Sequence, residues 1–153
     1  MKSILLILLV NFSGYNNDID TIRKLYLSAY LSEDNCDRFR SNISNTEKNK
    51  NTILIQGYKG CFYFIKCKFT NNPLKKLKYF DKGRELLESA IKKAPESVEL
   101  KFLRYSIQKN LPKFLLYYEN IEKDLNFVRK NISNIKDEKA QKFIANNIEA
   151  ISE

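Results

Sequence analysis

The chain of 153 residues is long enough for one domain and too short for two full cores. Hydrophobic residues make up 43% of it and charged residues 29%, which excludes disorder through low hydrophobicity. The formal net charge is +9, and histidine is absent, which excludes Ser-His and Cys-His catalytic pairs and histidine metal ligands. No metal or cofactor site is expected.

The positive charge is concentrated in the middle of the chain. Residues 59–113 contain 14 Lys and Arg against 5 Asp and Glu, so this stretch carries +9 and the remainder is neutral. Such a stretch is most often a solvated lysine-rich face. The functional interpretation is contact with acidic polymers, which makes an anionic envelope surface one candidate partner.

The first residues are typical of a secretory signal peptide. Lys2 supplies a positive charge, residues 4–10 form an unbroken apolar run, and Ser13 and Gly14 are small residues near a cleavage point. The run is far shorter than the roughly 18 residues that span a bilayer, so no transmembrane segment is expected. We expect residues 1–14 to be removed on export to the periplasm or the medium, leaving 15–153 as a single helical domain. The alternative is that the apolar run is a first core element.

Apolar residues recur every three or four positions along most of the chain, which predicts helices. The first helix is expected over about 19–32, and a short second one follows around Phe39, with a polar loop over 44–52. Residues 53–69 contain β-branched and aromatic residues that suit a hairpin, but they also form a helical stripe. Because no other segment offers a partner strand, we predict a helix there.

Proline, asparagine and serine mark the ends of the later helices. A helix is predicted between Asn72-Pro73 and Pro95, with an apolar face of Leu77, Phe80, Gly83, Leu87, Ala90 and Ile91. Ser97 is expected to cap the next helix, which ends before Pro112, and a short helical turn and two further helices follow. The prediction is an all-α protein of about six helices, with antiparallel hairpins stacked in a small bundle or short array.

The pattern Gly83-x3-Leu87-x2-Ala90-x4-Pro95 resembles the second helix of a tetratricopeptide repeat, where small, large and small residues and a proline recur at those offsets. The likeness covers one hairpin, about a third of the chain. It implies stacked helical hairpins that bind a protein or peptide.

The order of several short motifs is also similar to that of small exported bacterial proteins of unassigned activity. These motifs are Gly57-Tyr58-Lys59-Gly60, Asn72-Pro73, Lys82-Gly83 and the run from Val98 to Arg104. This likeness implies export and helices, and it implies no activity.

One candidate binding surface is aromatic and lies around Pro112. It consists of Arg104, Tyr105, Phe114, Tyr117 and Tyr118. Such rings would suit a groove for a peptide, and the ordinary interpretation is a corner where two hairpins pack. Arg104 is expected to pair with Glu99 or Glu119, or to stack on a ring.

A second candidate surface is basic and runs from Lys75 to Arg84, with Tyr79 and Phe80 among the lysines. This mixture occurs in nucleic-acid-binding proteins. Lysine outnumbers arginine here, however, and arginine is the better base reader. Because an exported chain would also seldom meet nucleic acid, we expect no nucleic-acid partner.

Cysteine and glycine give the remaining local predictions. Cys36 has a spacing that allows a disulfide to Cys61 or Cys67, whereas the latter two lie about 9 Å apart along one helix and cannot pair. The alternative is three small buried hydrophobic residues. Gly57 and Gly60 would permit close approach of a neighbouring helix.

The leading hypothesis is an exported helical binding or scaffold protein whose partner is a protein or peptide. The alternative is an enzyme that uses carboxylate or lysine chemistry in a helical cleft. Sheltered acids with a shifted pKa would favour that alternative.

Overall fold

The computed structural model describes residues 19–49 and 52–152, so the predicted signal segment, residues 1–14, lies outside the described residues. The described residues form seven α-helices and no strand, which confirms the predicted all-α class. The helices are α1 (Ile19–Ser28), α2 (Glu33–Asn49), α3 (Ile53–Lys66), α4 (Pro73–Lys93), α5 (Val98–Asn110), α6 (Ile121–Asn131) and α7 (Glu138–Ser152). Three short 3-10 turns follow α3, α5 and α6.

The helix starts follow from side-chain caps. Asn72 accepts hydrogen bonds from the backbone N–H groups of Leu74 and Lys75, and Pro73 occupies the first position of α4, where no N–H is needed. Ser97 accepts from the backbone of Leu100 and caps α5, as predicted. These caps fix where two neighbouring helices begin.

The polar loop predicted over 44–52 is wrong in its first part, because α2 continues to Asn49. Thr46 is buried one turn beyond the buried Ile43, so the inward face of the helix extends past the last apolar residue. Glu47 also forms an ion pair with Lys59 of α3 at 2.8 Å. Tertiary contact with α3 therefore outweighs the low helix propensity of this Asn- and Ser-rich stretch.

The first helix is shorter than predicted and ends at Ser28. The backbone carbonyl of Ser28 accepts a hydrogen bond from the side chain of Asn35. The hydroxyl of Ser32 accepts a second one from the backbone N–H of Asn35. Ser32 thus caps the N-terminus of α2, and the chain turns tightly between α1 and α2.

Two helices form the centre of the bundle. The predicted helix over 53–69 is confirmed, as α3 and the 3-10 turn Cys67–Phe69, and it packs against α1, α2, α4 and α5. α5 packs against α3, α4, α6 and α7, and all of residues 99–108 are buried. Polar side chains of α5 are therefore held inside the protein and need internal partners.

All three cysteines are free thiols in the structure, so the disulfide from Cys36 does not form here. Cys36 and Cys61 are buried among apolar residues, as the alternative interpretation predicted, and Cys67 is half-buried. Burial raises the pKa of the Cys36 and Cys67 thiols to about 11, so both stay protonated at neutral pH.

Candidate functional site

An open groove of about 600 Å³ lies where α3 ends and α4 begins. The end of α3, the start of α4 and the segment after α5 line it, together with Tyr30. Most of the lining side chains are apolar, and several are aromatic. Concave apolar sites of this size are typical of ligand-binding sites.

α4 forms one wall of this groove. Pro73, Lys76, Leu77 and Phe80 line it, and their spacing of three and four residues places them on one face of the helix. Phe80 is 8% exposed, whereas Leu77 is 56% exposed. The apolar face predicted for α4 is therefore buried from Phe80 onward, and Leu77 is an exception that is open to the groove.

The segment after α5 forms the opposite wall. Pro112 cannot continue α5, and residues Lys113–Leu115 form a 3-10 turn in which the N–H of Leu116 donates to the carbonyl of Lys113. This turn leaves Phe114 79% exposed, and its side chain lines the groove. Two large apolar side chains, Leu77 and Phe114, thus stand on separate walls without being covered.

A second recess continues from the groove past Tyr30 and Lys68. It has a volume of about 770 Å³ and is lined by parts of α1, α5 and α7. The Lys68 ammonium donates to the carbonyl of Tyr30 at 2.7 Å and lies 5.7 Å from the ring centroids of both Tyr30 and Phe69. Tyr30 and Lys68 line both recesses, so this link lies where the two recesses adjoin.

The charged lining of both recesses is positive. Lys68 and Lys76 line the groove, and Lys109 lines the second recess. Of the residues that the structure describes, none of those lining either recess is Asp or Glu. The site therefore combines an apolar surface with lysine residues at its border.

The five residues predicted as a binding surface do not form one surface. Phe114 lines the groove, and Tyr118 is exposed outside it. Arg104, Tyr105 and Tyr117 are buried. The Tyr105 hydroxyl is within 2.9 Å of the Ser152 hydroxyl, so this ring belongs to the contact between α5 and α7.

Arg104 forms a buried ion-pair network, and the expected pairing with Glu99 or Glu119 is wrong. Its Nε and Nη2 atoms donate to both carboxylate oxygens of Asp124, at 2.6 and 2.9 Å. Its Nη1 atom donates to Glu88, which also accepts from the Tyr117 hydroxyl. Burial and the neighbouring Glu88 raise the pKa of Tyr117, so the phenol remains a donor.

This network positions the second wall of the groove. Tyr117 stacks on Phe64 of α3 with a centroid distance of 5.6 Å and an interplanar angle of 12°. Arg84 of α4 lies 5.4 Å from the Tyr117 ring. Tyr117 therefore ties the chain just after Phe114 to α3 and α4, and the turn that carries Phe114 is held close to both.

A second buried network contains the acids that bear on the enzyme hypothesis. Arg23 donates to both oxygens of Glu99, at 2.8 and 2.7 Å, and pairs with Asp20 and Asp137. Burial raises the pKa of Asp20 and Asp137, but hydrogen bonds and nearby cations outweigh it, and both pKa values lie below their usual range. These acids serve as ionised partners for Arg23 and are poorly suited to donate a proton.

Two further observations concern metals and membranes. Among the described residues, no group of three or more Cys, Asp and Glu has a geometry that would hold a metal ion. Within the same part of the chain, no helix is both long and apolar enough to cross a bilayer.

No protein-family model, curated protein or solved structure matches this chain.

Sequence reasoning missed Leu77, Tyr30 and Lys68 as parts of the site. The apolar spacing places Leu77 on the buried face of α4. The lysines on both sides of Leu77, close to a second leucine at position 74, are the signal that could have indicated its exposure. Tyr30 and Lys68 are far apart in the chain, and no local pattern indicates that they meet.

Proposed function

We propose that this protein binds an apolar segment of a protein or peptide partner in the groove between α4 and the segment after α5. The observation that carries the proposal is the exposure of Leu77 and Phe114, which line one open apolar recess from two different segments. Uncovered apolar side chains that line one concave site are typical of interaction surfaces. The continuation into a second recess supports an extended occupant.

The helical scaffold supports this function by analogy. The seven packed helices of the described residues are compatible with the stacked hairpins of helical-repeat proteins, which bind peptides through the surfaces that the hairpins form. We further propose that the α3–α4 hairpin is tetratricopeptide-like. The signal-like first residues support the proposal that the chain acts after export.

The alternative function is an enzyme that uses carboxylate or lysine chemistry. The acids considered for it are already ion-paired within the protein. Asp20 and Asp137 are committed to Arg23, and Asp124 is committed to Arg104. The groove between α4 and the segment after α5 has lysine residues and, among the described residues, no Asp or Glu in its lining.

A peptide selection tests the proposal. The full chain is immobilised and used to select peptides from a random displayed library, and the enriched peptides are then measured by fluorescence anisotropy. We expect enrichment of peptides with large apolar residues. Leu77→Gln should weaken their binding about tenfold, because a buried leucine contact contributes about 1.5–3 kcal/mol.

Leu74→Gln is the matched control. Leu74 lies one turn earlier on the same helix and is also exposed, but it does not line the groove. Its substitution should leave the affinity almost unchanged. Equal losses for the two variants, or enrichment of peptides without apolar residues, would contradict binding in the groove.

A further inference from the structure

We infer that the groove selects an acidic partner: a peptide whose apolar segment is flanked by Asp or Glu side chains. This inference rests on the proposed function, because it names the chemistry of the occupant of the same groove.

Lys76 interrupts the otherwise apolar face that α4 presents to the groove. Pro73, Leu77 and Phe80 surround it on the side of α4 that lines the groove. An apolar ligand alone would gain nothing from an ammonium group at this position. A ligand that carries a carboxylate next to its apolar part would contact both.

The groove lysines have no acidic partner among the described residues, in contrast to two lysines of α3, and Lys68 donates to the carbonyl of Tyr30. Lys66, two residues before Lys68, contacts Glu33 at 2.9 Å and Asp37 at 3.2 Å. Lys59 is paired with Glu47. Within the described residues, Lys68 and Lys76 form no such ion pair. Their charges are therefore available to carboxylates from outside the chain.

The second recess also combines apolar lining residues with a lysine. Lys109 lines it, and its ammonium donates only to the carbonyl of Ser152 among the described residues, at 3.2 Å. Lysines thus line both recesses. This arrangement suits a chain-like ligand with acidic residues at more than one point along its length.

A peptide is favoured over a membrane surface because the lysines and Leu77 line a concave site. Single residues of a peptide can enter such a recess, whereas a bilayer contacts the residues that protrude most. Leu74 and Leu116 are exposed and do not line the groove, so Leu74→Gln should weaken binding to a bilayer but not binding of a peptide in the groove.

The test uses three labelled peptides with one apolar core of Leu and Phe, flanked by pairs of Glu, Gln or Lys. Binding to the full chain is measured by fluorescence anisotropy. We expect the Glu-flanked peptide to bind about tenfold more tightly than the Gln-flanked one, and the Lys-flanked one most weakly. The preference for Glu should shrink as salt is raised, because screening weakens exposed charge pairs.

Substitutions of the lysines test which residues cause the preference for the Glu-flanked peptide. Lys68→Gln and Lys76→Gln should each reduce it, and Lys76→Glu should shift it toward the Lys-flanked peptide. Lys78→Gln is the matched control, since it removes the same charge from α4 at an exposed position outside the groove. Circular dichroism of each variant checks that the helices are retained.

The outcomes separate the two proposals. Equal binding of the three peptides, with sensitivity to Leu77→Gln, would overturn the acidic preference and leave peptide binding intact. No binding of any peptide would overturn both. Sedimentation with phosphatidylglycerol vesicles in the absence of peptide binding would also overturn both, in favour of a lipid surface. An equal effect of Lys78→Gln would overturn the assignment to the groove lysines.

Discussion

Gly60 of α3 and Gly83 of α4 face each other where the two helices cross, and neither position has room for a side chain. A Cβ atom on Gly60 would lie 2.9 Å from the carbonyl oxygen of Gly83 and 2.9 Å from the backbone nitrogen of Leu87. A Cβ atom on Gly83 would lie 2.9 Å from Cδ2 of Phe64. The predicted close approach at Gly60 is confirmed, and it sets the spacing of the two helices that meet at the groove.

Gly60→Ala should therefore destabilise the protein. Alanine gains about 1 kcal/mol of helix propensity, but overpacking against a neighbouring backbone costs about 1–3 kcal/mol. We expect a lower free energy of unfolding in urea. Gly57→Ala should also destabilise the protein, because its Cβ atom would overlap Cδ2 of the buried Leu100 on α5. If Gly60→Ala is as stable as the parent protein, α3 and α4 do not cross this closely.

Asp124→Asn should cost much more than the removal of an exposed charge. Asp124 is fully buried, and its loss leaves the Arg104 guanidinium with Glu88 as its one remaining carboxylate. Breaking a buried pair by removing one partner typically costs about 3–5 kcal/mol. Thermal and urea unfolding measure this loss.

The control for Asp124→Asn is Glu149→Gln, which removes the exposed partner of Arg129. Exposed ion pairs contribute little, so this variant should unfold almost like the parent protein. Similar losses for the two variants would mean that the Arg104 network is accessible to solvent.

The ion pairs of Asp20 predict how the stability of the protein changes at acidic pH. Its pKa in the folded protein lies below the ordinary value of 3.8, because the bonds and charges of Lys139 and Arg23 outweigh the opposite effect of burial. A lowered folded pKa means that Asp20 stabilises the protein above pH 3.8, and that this contribution is lost as the pH falls through the folded pKa. Asp20→Asn should therefore be less stable than the parent protein at pH 5.

The stability gap between Asp20→Asn and the parent protein should narrow below pH 4, where the parent protein loses its own contribution. Urea unfolding of both proteins at several pH values measures it. A gap that stays constant down to pH 2.5 would show that Asp20 is not ionised against Arg23 and Lys139.

Export makes a prediction about the first residues. We expect the protein from its native host to begin between Asn11 and Asp18, because a signal peptidase would cut after the apolar run. Mass spectrometry of the intact protein determines this. Cytosolic material that still carries Met1 would contradict export.

Much of the fold could be predicted from local sequence. Asn72-Pro73 and Ser97 determine helix starts through their own hydrogen bonds, and the apolar spacing of residues 53–69 determines a helix. The end of α2 could not be predicted, because Asn, Ser and Thr favour a loop unless a neighbour covers them. This part of α2 packs against α3, which follows it in the chain, and Glu47 pairs there with Lys59.

The candidate site could be predicted only in part. Phe114 was included in the predicted surface, and it lines the groove. Leu77 and Phe80 belong to one apolar face by spacing, and their exposure differs because Phe80 packs against Phe64 and Tyr117, whereas Leu77 borders the open groove. Arg104 found its partner in Asp124 of α6, and the approach of α6 to α5 is a tertiary contact that local patterns do not determine.

The stacking of Tyr117 on Phe64 has a consequence for the kinetics of binding. Because Tyr117 is also hydrogen-bonded to Glu88, the wall that carries Phe114 cannot swing away without opening part of the core. A groove held in this way loses little conformational entropy when a ligand enters it. Association should then be a single step without a slow rearrangement, and affinity differences among related peptides should arise mainly from their dissociation rates.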